Sequence, residues 1–165
     1  MSKAFTRESD EEADDAPARP LGSELPPGAK NYMTPAGAAR LREARDRLSR
    51  VERPALVAAG DARALREVDR RIAFLGRRLE ALEIVDPARQ PPGRALFGAT
   101  ITVRDEGGAE RRYRLVGADE TDPQRGDVSW LSPIARALLG TQVGDVVIVR
   151  SPRGDEELEV VQVSY

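Results

Sequence analysis

Asp61 and the arginines Arg40, Arg47 and Arg50 are the residues of this chain whose type and placement could do chemistry, because the usual agents are missing. The 165 residues contain no histidine and no cysteine. That excludes disulfides, thiolate or imidazole metal sites and every histidine-based triad. What remains is carboxylate and guanidinium chemistry. Asp61 follows Gly60 at the junction of two apolar stripes. A lone carboxylate there can cap the following helix with one oxygen, whereas a metal site needs several oxygens converging on one point. The continuation Ala62-Arg63-Ala64 supplies none, so Asp61 is a cap first and a candidate metal ligand second. Arg40, Arg47 and Arg50 recur at helical spacing within a basic run of Arg40, Arg42, Arg45, Arg47, Arg50 and Arg53, offset by Glu43, Asp46 and Glu52. Such a stripe suits an acidic partner surface or a phosphate backbone, or is simply solvated helix. No aromatic residue interleaves with it, so base stacking is unsupported.

The elements that carry these residues follow from periodicity. Leu41, Ala44, Leu48, Val51, Ala55 and Ala58 form one stripe and Leu65, Val68, Ile72, Leu75, Leu79 and Leu82 another, in alternating steps of three, four or seven. They predict an antiparallel coiled-coil hairpin over residues 30–87 with Ala58-Ala59-Gly60-Asp61 at its tip. Thr34 caps the first helix and Pro35 opens it. Pro54 is expected to bend or break it, since it lacks an N–H and crowds the preceding turn. The second helix is expected to stop at Asp86-Pro87. One narrow seam buries little, so the arm should draw much of its stability from docking at its base.

Residues 88–95 read as a short stiff linker and 96–165 as a second domain. There the period changes to two: Ala99–Val103 and Glu110–Val116 flank a Glu106-Gly107-Gly108 turn, followed by a strand over Asp127–Leu131. Ser132-Pro133 starts a short helix ending at Gly140, with Ile134 and Leu138 expected inward and Arg136 outward. Val146–Val149 and Leu158–Val163 complete a second hairpin. The fold class is α+β, with an antiparallel sheet packed on one helix. Residues 1–29 read as a disordered acidic tail: positions 1–24 carry seven acids against Lys3, Arg7 and Arg19, a net −4 within a chain total of −2. Without an apolar run of membrane-spanning length or a signal-peptide core, a cytoplasmic monomer is expected.

Several separated blocks resemble the bacterial GreA/GreB transcript cleavage factors, most of all the GreB branch. They are Asn31-Tyr32-Met33-Thr34-Pro35, Val51-Glu52-Arg53-Pro54, Leu65-Arg66-Glu67-Val68-Asp69-Arg70-Arg71-Ile72, Leu82-Glu83-Ile84-Val85-Asp86 and Ser132-Pro133-Ile134-Ala135-Arg136-Ala137-Leu138-Leu139, then Val143-Gly144-Asp145. The resemblance spans residues 30–165. It implies a coiled-coil arm that enters the secondary channel of RNA polymerase and an FKBP-like domain that docks on the polymerase rim. Ser132, Pro133 and Arg136 become candidate partner contacts beside Arg40, Arg47 and Arg50. No cofactor is implied, because any Mg²⁺ would belong to the polymerase.

The family's tip resembles Gly-Asp-Arg-Ser-Glu-Asn-(Ala/Gly)-Asp-Tyr, whose acids help the polymerase hold a second Mg²⁺. Here only ten residues separate Pro54 from Leu65. That is about fifteen fewer than the pattern, which shortens a two-helix arm by roughly 10 to 12 Å. The resemblance therefore implies a polymerase-binding regulator with weak or absent cleavage stimulation and no catalysis of its own, akin to the short-armed Rnk type. Two other readings stay open: a coiled-coil adaptor without polymerase activity, and a prolyl isomerase built on the aromatics Phe97, Tyr113, Trp130 and Tyr165.

Overall fold

A computed structural model describes residues 25–26, 29–151 and 154–165. The acidic run over 1–24, and with it the tail expectation, lies outside the described residues, as do turn positions 152–153. The chain is α+β. Strand β1 (Asn31–Met33) leads into α1 (Pro35–Arg47), a π-helical turn (Leu48–Glu52) and α2 (Arg53–Ala59); α3 (Ala62–Glu80) follows. Thr34 Oγ1 accepts the Gly37 N–H at 3.0 Å and Pro35 occupies the first turn, so the expected start of α1 holds.

Pro54 neither breaks nor ends the helix. It brings no N–H to the Arg50 carbonyl and its ring crowds that carbonyl, and the chain responds by widening one turn: the Arg53 N–H reaches back five residues to Leu48 O. A π turn inserts one residue into the helical phase. The buried seam accordingly moves off the expected Val51, Ala55 and Ala58, all exposed and Val51 at 61%, onto half-buried Glu52 and Leu56. On α3 the expected stripe is kept, with Leu75 buried and Leu65, Val68, Ile72 and Leu79 half-buried. Both α1 and α2 pack on α3, and an Arg53–Asp69 ion pair at 2.8 Å joins the two limbs.

The second limb stops earlier than its stripe suggests. α3 ends at Glu80, and Leu82–Ile84 forms β2, paired in parallel with β1 in the register Asn31↔Leu82, Tyr32↔Glu83, Met33↔Ile84. Asn31 and Met33 are buried at about 1% exposure. The ladder satisfies their backbone groups, which a helix through residue 86 would leave unpaired.

Five strands follow: β3 (Thr100–Asp105), β4 (Glu110–Val116), β5 (Asp127–Ser129), β6 (Val146–Ser151) and β7 (Gly154–Ser164), in the spatial order β5-β4-β3-β7-β6. The sheet is mixed rather than antiparallel, because β5 runs parallel to β4. Between them two 3₁₀ turns, Ala118–Glu120 and Pro123–Arg125, carry the chain back to the same end instead of closing a hairpin. The inner face presents Ile101, Val103, Leu115, Leu158 and Val160, all 0% exposed. Helix α4 (Pro133–Leu138) covers this face with Ala135 and Leu138; Ile134, expected beside Leu138, is only half-buried. The linker is held at its end by the Tyr165 hydroxyl, which donates to Arg94 O at 2.6 Å and accepts the Leu96 N–H at 3.1 Å.

Candidate functional site

At the far end of the helical arm only Gly60 and Asp61 join α2 to α3. Gly60 adopts φ +71°, and the Asp61 N–H returns to Leu56 O at 3.2 Å, a left-handed termination that a residue with a Cβ adopts poorly. Asp61 then caps α3: its Oδ1 accepts the N–H groups of Arg63 at 3.1 Å and Ala64 at 2.9 Å. The nearest other acid along α3, Glu67, is bound by the Arg70 guanidinium, whose hydrogen bond holds its carboxyl below the usual carboxylate range. Asp61→Ala should therefore cost about 1 kcal/mol of arm stability while Asp61→Asn costs a few tenths, read as the urea midpoint of helix loss.

At the opposite end the arm is locked to the sheet domain by groups that sequence patterning did not single out. The Arg78 guanidinium makes a bidentate pair with Asp119, Nε to Oδ2 at 2.8 Å and Nη2 to Oδ1 at 2.6 Å, with both side chains about nine-tenths buried. Asn31 Nδ2 donates to Arg78 O at 2.9 Å. The Glu120 carboxylate, 8% exposed, reaches across to the start of α1: it accepts the Thr34 N–H at 2.9 Å, the Thr34 hydroxyl at 2.5 Å and the Gly117 N–H at 3.1 Å. A negative charge at that helix N-terminus is favourable. Gly37 is obligatory here, since a Cβ on it would stand 1.9 Å from Glu120 Oε1. The Tyr32 ring fills the remaining space, 5.1 Å from Trp130 at 63° and 5.9 Å from Phe97 at 55°.

The residues singled out in the sequence are dispersed over this frame. Arg40 lies 3.7 Å from Glu120 at the base, Arg47 pairs with Glu52 at 3.4 Å, and Arg50 helps Arg45 hold the Asp46 carboxyl below its ordinary range. Arg45, Arg47 and Arg53 of the stripe are thus tied to acids of the arm itself, and Arg40 to Glu120 of the sheet domain. Ser132 caps α4 through Oγ and the Ala135 N–H at 3.2 Å, Pro133 fills the first turn, and Arg136 is exposed. They form a surface on the sheet domain, separate from the arm's tip. Glu120, Arg78 and Asp119 carried no local signal because their partners lie 86 and 41 residues away.

The one free-standing carboxylate at the tip is spent on two backbone N–H groups, and Glu67 is neutralised by Arg70. Among the described residues no group of three or more carboxylates is arranged to hold a metal ion. No helix among them is long and apolar enough to cross a membrane.

The family model described as "Transcription elongation factor, GreA/GreB, C-term" matches residues 90–165. The chain is 40% identical over 154 aligned positions to transcription elongation factor GreB of Neisseria meningitidis serogroup B, covering 82% of this chain and 94% of that protein. It is 41% identical over 156 positions to transcription elongation factor GreA of Alkalilimnicola ehrlichii, covering 83% and 99%. A solved structure of a prokaryotic transcription elongation factor GreA/GreB from Nitrosomonas europaea is 28% identical, with a TM-score of 0.42 over 82% of this chain and 100% of that one. With two fifths of its residues shared along nearly the whole length of such relatives, this chain belongs to the GreA/GreB family of transcription elongation factors.

Proposed function

We propose that this protein regulates transcript elongation by binding RNA polymerase and placing its helical hairpin, a short coiled-coil arm, in the secondary channel, with little or no stimulation of transcript cleavage. The observation that carries the reading is the tip: Gly60-Asp61 closes the arm, and the single acid there is occupied as a helix cap. The extent of the alignments supports a shortened arm. The Neisseria match runs over 154 positions but uses 82% of 165 residues, so about 19 positions of the relative have no counterpart here, worth roughly 14 Å if shared between two helices. A carboxylate withdrawn that far cannot ligate a metal whose bonds are near 2 Å.

The base supports the same reading from the other side. The buried Arg78–Asp119 pair and the Glu120 cap give the arm a fixed direction, which an element threaded into a channel requires. Arg40, Arg47, Arg50, Ser132, Pro133 and Arg136 are the proposed polymerase contacts. The protein acts as a monomer, needs no cofactor of its own and performs no catalysis; prolyl isomerisation is disfavoured because Phe97 and Trp130 pack tilted and edge-on against Tyr32.

The test is RNA cleavage in a stalled, backtracked elongation complex, with this protein alone and in competition with a full-length Gre factor. It should add no cleavage and should suppress the other factor's activity in a dose-dependent way. Cleavage that Asp61→Asn abolishes would overturn the tip argument. Absence of both effects would favour the adaptor reading.

A further inference from the structure

On the face of the sheet opposite α4, three arginines line one open cleft. Arg112 and Arg114 project from β4 two residues apart, and Arg125 comes from the 3₁₀ turn beside them; Thr100, Gln124, Asp127 and Ser164 complete the lining. Thr100 lies directly across from Arg114, and Ser164 across from Thr100, so two hydroxyls adjoin the arginines along the sheet. The turn is built to sit close. Asp122 Oδ1 caps it by accepting the Gln124 N–H at 3.1 Å, and Gly126, at φ +76°, passes so near β4 that a Cβ would stand 2.4 Å from Arg112 O.

Two neighbouring arginines of the sheet serve as structural partners: Arg104 pairs with Glu110 and Glu159, and Arg111 with Glu156 and Asp105. Arg112, Arg114 and Arg125 form no ion pair with any described residue. Gathering like charges costs stability, and the single carboxylate in the cleft offsets one of the three. The arrangement therefore has no return within the fold.

We infer that this cleft binds the sugar-phosphate backbone of a nucleic-acid strand. Guanidinium forks match phosphate oxygens. Two of them on alternate positions of a strand lie about 6.8 Å apart, a separation of the same order as that of successive phosphates on one strand. The Thr100 hydroxyl adds a donor, that of Ser164 being given to Thr100 O at 3.4 Å, and the absence of aromatic lining makes the contact independent of base sequence. The chain's net charge of −2 does not oppose this, because the −4 of residues 1–24 leaves the remainder at +2. The inference goes beyond the arm's action, and its test contains no polymerase, so either can fail without the other.

Binding of a short fluorescein-labelled single-stranded RNA by the full chain is read as fluorescence anisotropy at several salt concentrations. Three phosphate contacts should make the affinity fall roughly 20-fold between 50 and 200 mM salt. Arg112→Gln, Arg114→Gln and Arg125→Gln together should weaken binding about tenfold or more at the lower salt and flatten the slope, while the three corresponding Arg→Lys changes should retain most of both. A charge-matched control carries Arg66→Gln, Arg71→Gln and Arg77→Gln on the exposed face of α3. Equal loss in that control would mean the binding is only net charge, and undetectable binding by the wild type at the lower salt would also overturn the inference. Inorganic tripolyphosphate should displace the RNA better than polyglutamate of equal charge; the reverse order would assign the cleft to an acidic protein segment instead.

Discussion

Replacing Arg78 with alanine should lower the unfolding free energy by about 3 to 5 kcal/mol, the range for a buried ion pair that loses one partner. The magnitude follows from burial. Both side chains of the Arg78–Asp119 pair are about 90% shielded, so the bidentate contact is hardly screened by water, and the truncation strands the Asp119 carboxylate in a place where it cannot be hydrated. The loss extends to the Arg78 stem, whose guanidinium also lies 5.7 Å from the Phe74 ring. Trp130, the sole tryptophan, is packed on Tyr32 at this junction, so its fluorescence during urea unfolding reports the event directly. Asp119→Ala should cost a similar amount, and the double variant should cost less than the two single effects combined, because no unpaired charge is then left. A loss below about 1 kcal/mol would mean that the junction is solvated like a surface pair.

Glu120→Ala is the second large effect, and it acts on the arm through the sheet domain. The substitution removes the acceptor for the Thr34 N–H, the Thr34 hydroxyl and the Gly117 N–H at once, all in a buried setting. Leaving such donors unmet costs about 2 to 4 kcal/mol after relaxation and entry of water. Glu120→Gln should cost about half as much, since it keeps one oxygen but loses the charge that favours the N-terminus of α1. Amide hydrogen exchange at Gly37 and Ala38 localises the damage: protection there should fall while that of Ile101 and Val160 in the sheet core stays unchanged. Gly37→Ala should reproduce the loss, because its Cβ would claim the space of Glu120 Oε1. Combined with Glu120→Ala it should add little further, the collision having been removed. Full additivity of the two would show that Gly37 is needed for a reason other than Glu120.

How the arm reads from its sequence depends on which residue is asked. The α3 stripe was legible from Leu65 to Leu79, because an uninterrupted helix keeps its 3.6-residue phase and each apolar position lands where counting puts it. The α1–α2 stripe was legible only to Leu48. Beyond that residue the phase depends on how the helix absorbs Pro54, and the π turn, which rotates Val51 outward and Leu56 inward, is a choice made against the packing surface of α3. Leu82 fitted the heptad and yet joined a strand, because Asn31–Met33 offered a ladder that no local pattern announces.

The sequence by itself determined what this protein is made of and which chemistry it lacks: helices on either side of Gly60-Asp61, strands and a short helix in the later part of the chain, the caps at Thr34, Asp61 and Ser132, and the absence of histidine and cysteine. These are properties of composition and of contacts within a few residues, and short-range geometry dictates them. Tertiary structure alone decided where the arm points and what holds it there. Glu120 meets Thr34, Asp119 meets Arg78 and Trp130 meets Tyr32 across long stretches of chain. Pairing at that separation leaves no period in the sequence, since it is selected by the burial and charge balance of the assembled molecule rather than by the local conformation of either partner.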